Sequence, residues 1–183
     1  MIISEANPAD LPLLLEYRQE AARWLGRAGI DQWSNDFPEQ HVLESIRSGT
    51  VYLVRDHSGP TATVTLDDTP EPDLWTEDEL SIPSTHLHKL IVSRRNAGRG
   101  IGGQILNWAS DRAAREGKVW IRINAWSTNN RLHRYWESQG FTHIRTVAGG
   151  GVGGAGVAGW LAQRPARRCH HLLIDRTSAA QLR

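Results

Sequence analysis

The sequence predicts an α/β (α+β) chain built on a mixed, mostly antiparallel sheet of six to seven strands flanked by helices. Three observations carry this. Residues 86–116 read as strand, glycine-rich turn and amphipathic helix, and another apolar run, Val119 to Asn124, follows. Strand, helix, strand in that order makes a parallel pair with a right-handed crossover. Thr50 to Arg55 and Thr61 to Leu66 are β-branched runs around Asp56-His57-Ser58-Gly59-Pro60, a hairpin signal, so they are antiparallel neighbours. Elsewhere apolar residues recur at helical 3–4 spacing.

Taken in order, Ile2 and Ile3 open an edge strand, and Asp10 caps a helix that tolerates Pro12 in its first turn. Leu11, Leu14, Leu15, Arg18, Ala21, Ala22 and Leu25 follow at 3–4 spacing, so one face of it is apolar, and Ala28-Gly29 ends it. A shorter helix from Pro38 to Ser48 turns Val42, Leu43 and Ile46 inward. The loop from Asp67 to Glu79 holds seven acids and no base. His86 to Val92 is the central strand. In the helix after it, Ile101, Ile105, Trp108, Ala109 and Ala113 are core, Asp111, Arg112, Arg115 and Glu116 face solvent, and Gly117 stops it. Trp120 is core by period. A helix from Asn130 to Gln139 and a strand from Thr142 to Val147 follow. Ala148 to Gly159 holds seven glycines in twelve residues, which predicts a mobile loop. Either Ala158 to Gln163 or Cys169 to Asp175 is the last strand. Residues 1–176 are read as one domain and 177–183 as a frayed tail.

Composition narrows the function. At 183 residues and a net charge of +1, with arginines spread along the chain, one core suffices and no field favours nucleic acid. A single cysteine, Cys169, excludes an internal disulfide and a zinc cluster, and no metal is called for. The opening Met1-Ile2-Ile3-Ser4-Glu5 has no leader character and no run is long enough to span a bilayer, so the expectation is a cytoplasmic protein without a membrane partner.

The chemistry centres on Ser93-Arg94-Arg95-Asn96-Ala97-Gly98-Arg99-Gly100-Ile101-Gly102-Gly103. Glycines at a helix N-terminus let the backbone approach an anion, which the unpaired amides and the helix dipole favour, and Arg94, Arg95 and Arg99 add mobile positive charge. Gly98, Gly100 and Gly103 satisfy G-x-G-x-x-G, but five residues separate Val92 from Gly98, and the next strand ends in Asn124 where a ribose-binding acid is needed. No Gly-Lys-Ser/Thr follows. A nucleoside-triphosphate loop is thereby excluded, and a nicotinamide-dependent enzyme is left as a distant third reading.

Arg95-Asn96-Ala97-Gly98-Arg99-Gly100 instead resembles motif A, R/Q-x-x-G-x-G/A, of the GCN5-related N-acetyltransferases (GNAT). Asn129 through the helix to Gly140-Phe141 resembles motif B of the same family. The resemblance implies a GNAT-like fold and acetyl-CoA as co-substrate, its pyrophosphate on the amides of Gly98 to Gly103 and its pantetheine between strands that splay beyond Val92 and Asn124. It implies coenzyme contacts from Leu90, Ile91, Val92, Arg95, Gly98, Arg99, Gly100, Ile101, Gly102, Gly103, Asn124, Asn129 and Trp136, with the Ile91 and Val92 amides on the thioester oxygen. A homodimer is left open as the assembly.

Catalysis needs a neutral amine, donors for the oxyanion and at most a weak acid for the thiolate. The family's base is often a glutamate four residues before the position held here by Val92, and this chain has His88 there. An imidazole at its ordinary pKa of about 6.5 is a competent base near neutrality, and period two sets His86 on the same face. Where motif B usually carries a tyrosine acid, this chain has Trp136, which cannot protonate anything. His133, on one helix face with Asn129 and Trp136, is the fallback donor. Trp33, Trp75 and Trp126 are candidates to line the acceptor pocket, and with the acidic loop they fit a cationic amine with a flat or apolar body. The acceptor is a small-molecule or peptide amine. The rival reading, for which Trp136 is the main argument, is a coenzyme A binding or regulatory domain without catalysis.

Overall fold

The computed structural model describes residues 1–34, 38–71, 73–148 and 158–178. Eight strands form one mixed, mostly antiparallel sheet flanked by helices, against the six or seven the sequence predicts. The eighth is a two-residue strand, Ile174–Asp175, too short to show a period. The chain divides into two compact units: Met1–Leu66 with Lys89–Ile105 and His171–Arg183, and Asp67–His88 with Leu106–His170.

The first unit contains β1 (Ile2–Glu5), α1 (Leu11–Arg27), α2 (Glu39–Arg47), β2 (Val51–Asp56) and β3 (Gly59–Asp67). β2 and β3 pair antiparallel, Leu53 opposite Thr63, and β1 pairs antiparallel with β2, Ile3 opposite Val54. The other side of β1 pairs in parallel with β8 (Ile174–Asp175), so β1 is not an edge strand as predicted. The Ile174 and Arg176 amides donate to the Met1 and Ile3 carbonyls at 2.9 Å. Thr177 is fully buried and the Ser178 amide donates to the Glu5 carboxylate, so these two residues do not fray; 179–183 lie outside the described residues.

Asn7, rather than Asp10, provides the side-chain cap at the start of the helical stretch. Its Oδ1 accepts from the Ala9 amide, and the Asp10 carboxylate accepts from the Asn7 amide, each at 2.9 Å. Asp10 already has helical dihedrals, so its carboxylate turns back to Asn7 and to Arg55, 2.7 Å away. Leu14, Ile46, Val51 and Leu53 pack with Ala6 as the core between these helices and strands. Tyr17, which the sequence analysis left out of the apolar face, is buried and its hydroxyl donates to the Pro60 carbonyl at 2.8 Å.

The second unit contains α3 (Glu77–Leu80), β5 (Trp120–Ala125), α5 (Asn130–Ser138), β6 (Thr142–Thr146) and β7 (Trp160–Pro165), the first half of β4 (Ser84–Val92) and most of α4 (Ile101–Arg115). The order here is β6-β7-β5-β4, with β4 and β5 parallel, Thr85 opposite Ile121, and the other pairs antiparallel. The first C-terminal candidate is therefore β7, and the end of the second is β8. The helix α3, absent from the sequence reading, is held by a capping box between Thr76 and Glu79.

Two surface and core expectations are corrected. Asp111 is buried, because Arg115 (2.6 Å) and Arg168 (2.8 Å) bind its two oxygens. Trp120 is only half-buried. Arg122, on β5, is fully buried and donates to the Glu79 carbonyl at 2.6 Å and to Gln163 at 3.2 Å, with Trp75 4.8 Å under its guanidinium. Residues 149–157 of the glycine-rich run lie outside the described residues. At its end Gly159 has no room for a side chain, since a Cβ would sit 1.9 Å from the Val147 carbonyl oxygen.

Candidate functional site

In the first unit β4 ends at Val92, and the chain turns at once. The Ser93 amide donates to the Thr61 carbonyl at 2.9 Å, Arg94–Asn96 form one helical turn, and the buried Asn96 amide group donates to the Ser93 hydroxyl at 2.8 Å. Gly98 and Gly100 then both take left-handed dihedrals, φ +78° and +71°. A Cβ there would meet no heavy atom within 4 Å, so the backbone angle demands glycine and the space beside it stays open. The Gln104 amide to Gly100 carbonyl bond, 3.2 Å, starts α4, so the amides of Ile101, Gly102 and Gly103 precede the helix's own bonding. Gly102 and Gly103 are half-buried and Ile101 is buried beneath them.

Each of the three arginines has a partner within this unit. Arg99 binds the Asn96 side chain and Asp56 (3.3 Å), Arg95 donates to the Pro60 carbonyl at 3.0 Å, and Arg94 lies 4.5 Å over the Trp24 ring. The Ser58 hydroxyl and amide, aided by Arg99, hold the Asp56 carboxyl down to about 2. The loop thus presents amides and fixed positive charge, a donor set that suits a pyrophosphate.

Within β4, Lys89 is left-handed at φ +49°, an uncommon state for a side-chain-bearing residue. Beyond it Leu90 and Val92 are half-buried and Ile91 is buried. Trp33, also left-handed at φ +63°, lines an open cleft in this unit whose walls come from α1, α2 and the strands β2, β3 and β4.

In the second unit His86 and His88 stack, 6.3 Å between centroids, as period two requires. His86 is buried and meets the Trp75 ring edge-on at 5.5 Å. Burial, then the charges of His88 and Arg122, pull its pKa down to about 4. The Nε2 of His88 lies 3.5 Å from Asp67 Oδ1. Burial alone would raise the Asp67 carboxyl, but His88 and the Thr69 amide outweigh it and the net shift is downward. Asp67 is the partner the sequence reading missed, having counted it only as one acid of a loop. Carboxylates of that loop meet bases: Asp67 pairs with His88, Asp68 with Lys118, and Glu79 with Arg145. Trp75 is buried against Leu74 and Leu161, with its indole N–H buried and without a hydrogen-bond partner among the described residues.

The Asn129 side chain caps α5, accepting from the Leu132 amide at 3.1 Å. His133 is buried, stacked 4.3 Å from Trp160, with Nε2 2.8 Å from the Trp126 carbonyl. That contact sets the hydrogen on Nε2, and burial draws the pKa down despite the carbonyl's opposing effect. Trp136 is buried, edge-on to Phe141 at 5.2 Å, and its indole N–H is also buried without a hydrogen-bond partner among the described residues. Trp126 is half-buried. Asn124, on β5, donates to the Ala158 carbonyl at 3.4 Å. His133, Trp136 and Asn129 share α5, and His86, His88 and Trp75 form a separate cluster.

No helix among the described residues is long and apolar enough to cross a membrane. The sequence profile of the acetyltransferase (GNAT) family matches residues 16–141. The chain is 31% identical over 136 residues to the uncharacterized N-acetyltransferase YesJ of Bacillus subtilis (strain 168), covering 70% of this chain and 74% of YesJ. Its backbone is similar to the crystal structure of a GNAT-family acetyltransferase from Listeria monocytogenes 4b F2365, with TM-score 0.71, 24% identity, and 90% and 94% of the two chains covered. It is also similar to yncA from Salmonella typhimurium, a putative acetyltransferase solved with its cofactor acetyl-CoA, with TM-score 0.60, 20% identity, and 96% and 98% covered.

Proposed function

The chain belongs to the acetyltransferase (GNAT) family, and from that premise we propose that it moves an acetyl group from acetyl-CoA to a primary amine of a small molecule or peptide, by direct attack on the thioester. The observation that carries this is the pair of left-handed glycines, Gly98 and Gly100, delivering the chain to the open N-terminus of α4 beside anchored arginines. Those amides suit a pyrophosphate, and yncA, which shares the fold, is described with acetyl-CoA as its cofactor.

In this reading the pyrophosphate rests on the amides from Gly98 to Gly103, with Arg95 and Arg99 alongside. The amine nitrogen attacks the thioester carbon, and the carbonyl oxygen takes the electron pair and is held by the amides of Ile91 and Val92. His88 accepts the proton that nitrogen loses, directly or through one water. Asp67, beside Nε2, favours the tautomer with hydrogen on that nitrogen and leaves the Nδ1 lone pair as the base. Collapse of the oxyanion expels the coenzyme thiolate, which takes up a proton to give the thiol and the acetamide. A thiol with a pKa of about 8.5 departs readily as its anion, so Trp136 in place of an acid does not stop the reaction. Leu90, Asn124, Asn129 and Trp136 contact the pantetheine arm. His86 and His133 rank behind His88: the first is neutral down to about pH 4, and the second has its Nε2 hydrogen directed at Trp126. The protein would act in the cytoplasm.

A thiol-release assay with acetyl-CoA over a panel of amines tests the proposal. Coenzyme binding without release for any amine would favour the non-catalytic, coenzyme-sensing reading, for which the buried Trp136 is the supporting observation.

A further inference from the structure

One face of α1 is turned to the loop that runs from Ser93 to Gly103. Tyr17, Glu20 and Trp24 follow at spacings of three and four, so they share a stripe of the helix. The Tyr17 hydroxyl donates to the Pro60 carbonyl at 2.8 Å, Glu20 Oε2 lies 3.5 Å from the Arg94 amide, and the Trp24 ring lies 4.5 Å under the Arg94 guanidinium. All of these residues belong to the first unit. The helix whose sequence announces only an apolar face therefore also holds the loop.

Tyr17 is the member of this stripe placed to act on Arg95. The Pro60 carbonyl that takes its hydroxyl hydrogen also accepts from Arg95 Nη2 at 3.0 Å, so phenol and guanidinium meet on one oxygen. Tyr17 is buried, whereas Arg95 is exposed. A buried hydroxyl thus stands behind a cation that remains open to solvent. Burial pushes the phenol's pKa up against the opposing effects of Ser93 and Arg95, so the hydroxyl keeps its hydrogen at neutral pH. A long side chain held in place before its ligand arrives loses less freedom on binding it.

We infer that Tyr17 is a positioning residue for the coenzyme: through the Pro60 carbonyl it holds the Arg95 guanidinium ready for the pyrophosphate, without touching the coenzyme itself. The inference rests on the coenzyme reading of the loop, and it gives a role to a residue outside both family motifs. Without the hydroxyl, the Pro60 carbonyl loses its tie to α1, and Arg95 loses a fixed acceptor.

The test compares acetyl-CoA with S-acetylpantetheine, a donor that has the same thioester and no pyrophosphate. In Tyr17→Phe, kcat/KM for acetyl-CoA is expected to fall by about three- to tenfold, through KM, while the value for S-acetylpantetheine stays at that of the native protein. Calorimetry should show the same loss for coenzyme A, and no loss beyond that of Arg95→Gln when the two substitutions are combined. Melting without ligand confirms that the variants are folded. Equal losses with both donors would assign Tyr17 to general stability. That result, an unchanged affinity for coenzyme A, or losses that add to those of Arg95→Gln each overturn the inference and leave the transferase intact. If S-acetylpantetheine is too poor a donor to measure, or no thiol is released with any amine, the calorimetric cycle decides alone. In the second case a loss in Tyr17→Phe that vanishes in the Arg95→Gln background supports Tyr17 and removes the transferase. A native protein that binds no coenzyme A removes both.

Discussion

Asp67 Oδ1 stands 3.5 Å from His88 Nε2, with both side chains about four-fifths buried. In the proposed reaction a carboxylate in that place would orient the ring and set its tautomer. His88→Ala is expected to lower turnover by about 10²–10⁴-fold while the affinity for acetyl-CoA stays nearly constant. Asp67→Ala should lower it by about tenfold and should do nothing further in the His88→Ala background, since the two act as a unit. Additive losses would assign Asp67 to stability alone. Full turnover in His88→Ala would mean that the amine arrives neutral or that water is the base.

The coenzyme loop is tested at Gly100. Acetyl-CoA at about 100 times its dissociation constant should stabilise the fold by about 2.7 kcal/mol, read as a thermal shift. Both aspartate and asparagine tolerate the left-handed dihedral, but only aspartate sets a negative charge where an anion should lie. Gly100→Asp should therefore abolish the shift and Gly100→Asn should keep part of it. Equal responses would remove the phosphate assignment.

His86 makes stability depend on pH. Its folded pKa of about 4 lies below the value of about 6.5 in an unfolded chain. Above about pH 6.5 both states are neutral and the native state has its full stability from this group. As pH falls toward 4 the unfolded chain binds a proton that the folded one refuses, which costs about 3 kcal/mol across that window. Denaturant midpoints measured from neutral pH down to about pH 4 should fall more steeply for the native protein than for His86→Gln.

Trp136 tests both packing and the leaving group. Its buried indole N–H has no partner among the described residues, so Trp136→Phe loses volume but also removes a desolvation cost of about 1–3 kcal/mol. The net change in stability should stay within about 1 kcal/mol, well short of the 3–5 kcal/mol of an ordinary core truncation. Trp136→Tyr should leave turnover nearly unchanged and relax the preference for acetyl over propionyl groups. A hundredfold gain in turnover would instead show that protonating the thiolate matters.

Much of this was readable before any coordinates. The apolar period placed α4, whose Ile101, Ile105, Trp108, Ala109 and Ala113 are all buried, and the Asp56–Pro60 turn placed the β2–β3 hairpin. Thr76 and Glu79 carried a cap signal that went unused, as did Asn7 and Asp10. Other features had no local signal at all. Two residues of β8 become a strand only because β1 supplies their ladder, and Asp67 reaches His88 only after β3 and β4 have formed. Asp111 looked solvent-facing on its own helix because the arginine that helps bury it, Arg168, is far along the chain. Likewise the cleft beside Trp33 draws its walls from three strands, two helices and a loop, so no single stretch of the sequence announces it.

The pairing of β1 with β8 also joins two stretches that lie far apart in the sequence. The Met1 and Ile3 carbonyls accept from the Ile174 and Arg176 amides, so this ladder closes only when the whole intervening chain has brought the two together. Until then one edge of β1 is an open template for another strand. A chain cut before Ile174 would carry the exposed edge that β8 otherwise covers, and self-association through β1 is the hazard that those two residues remove.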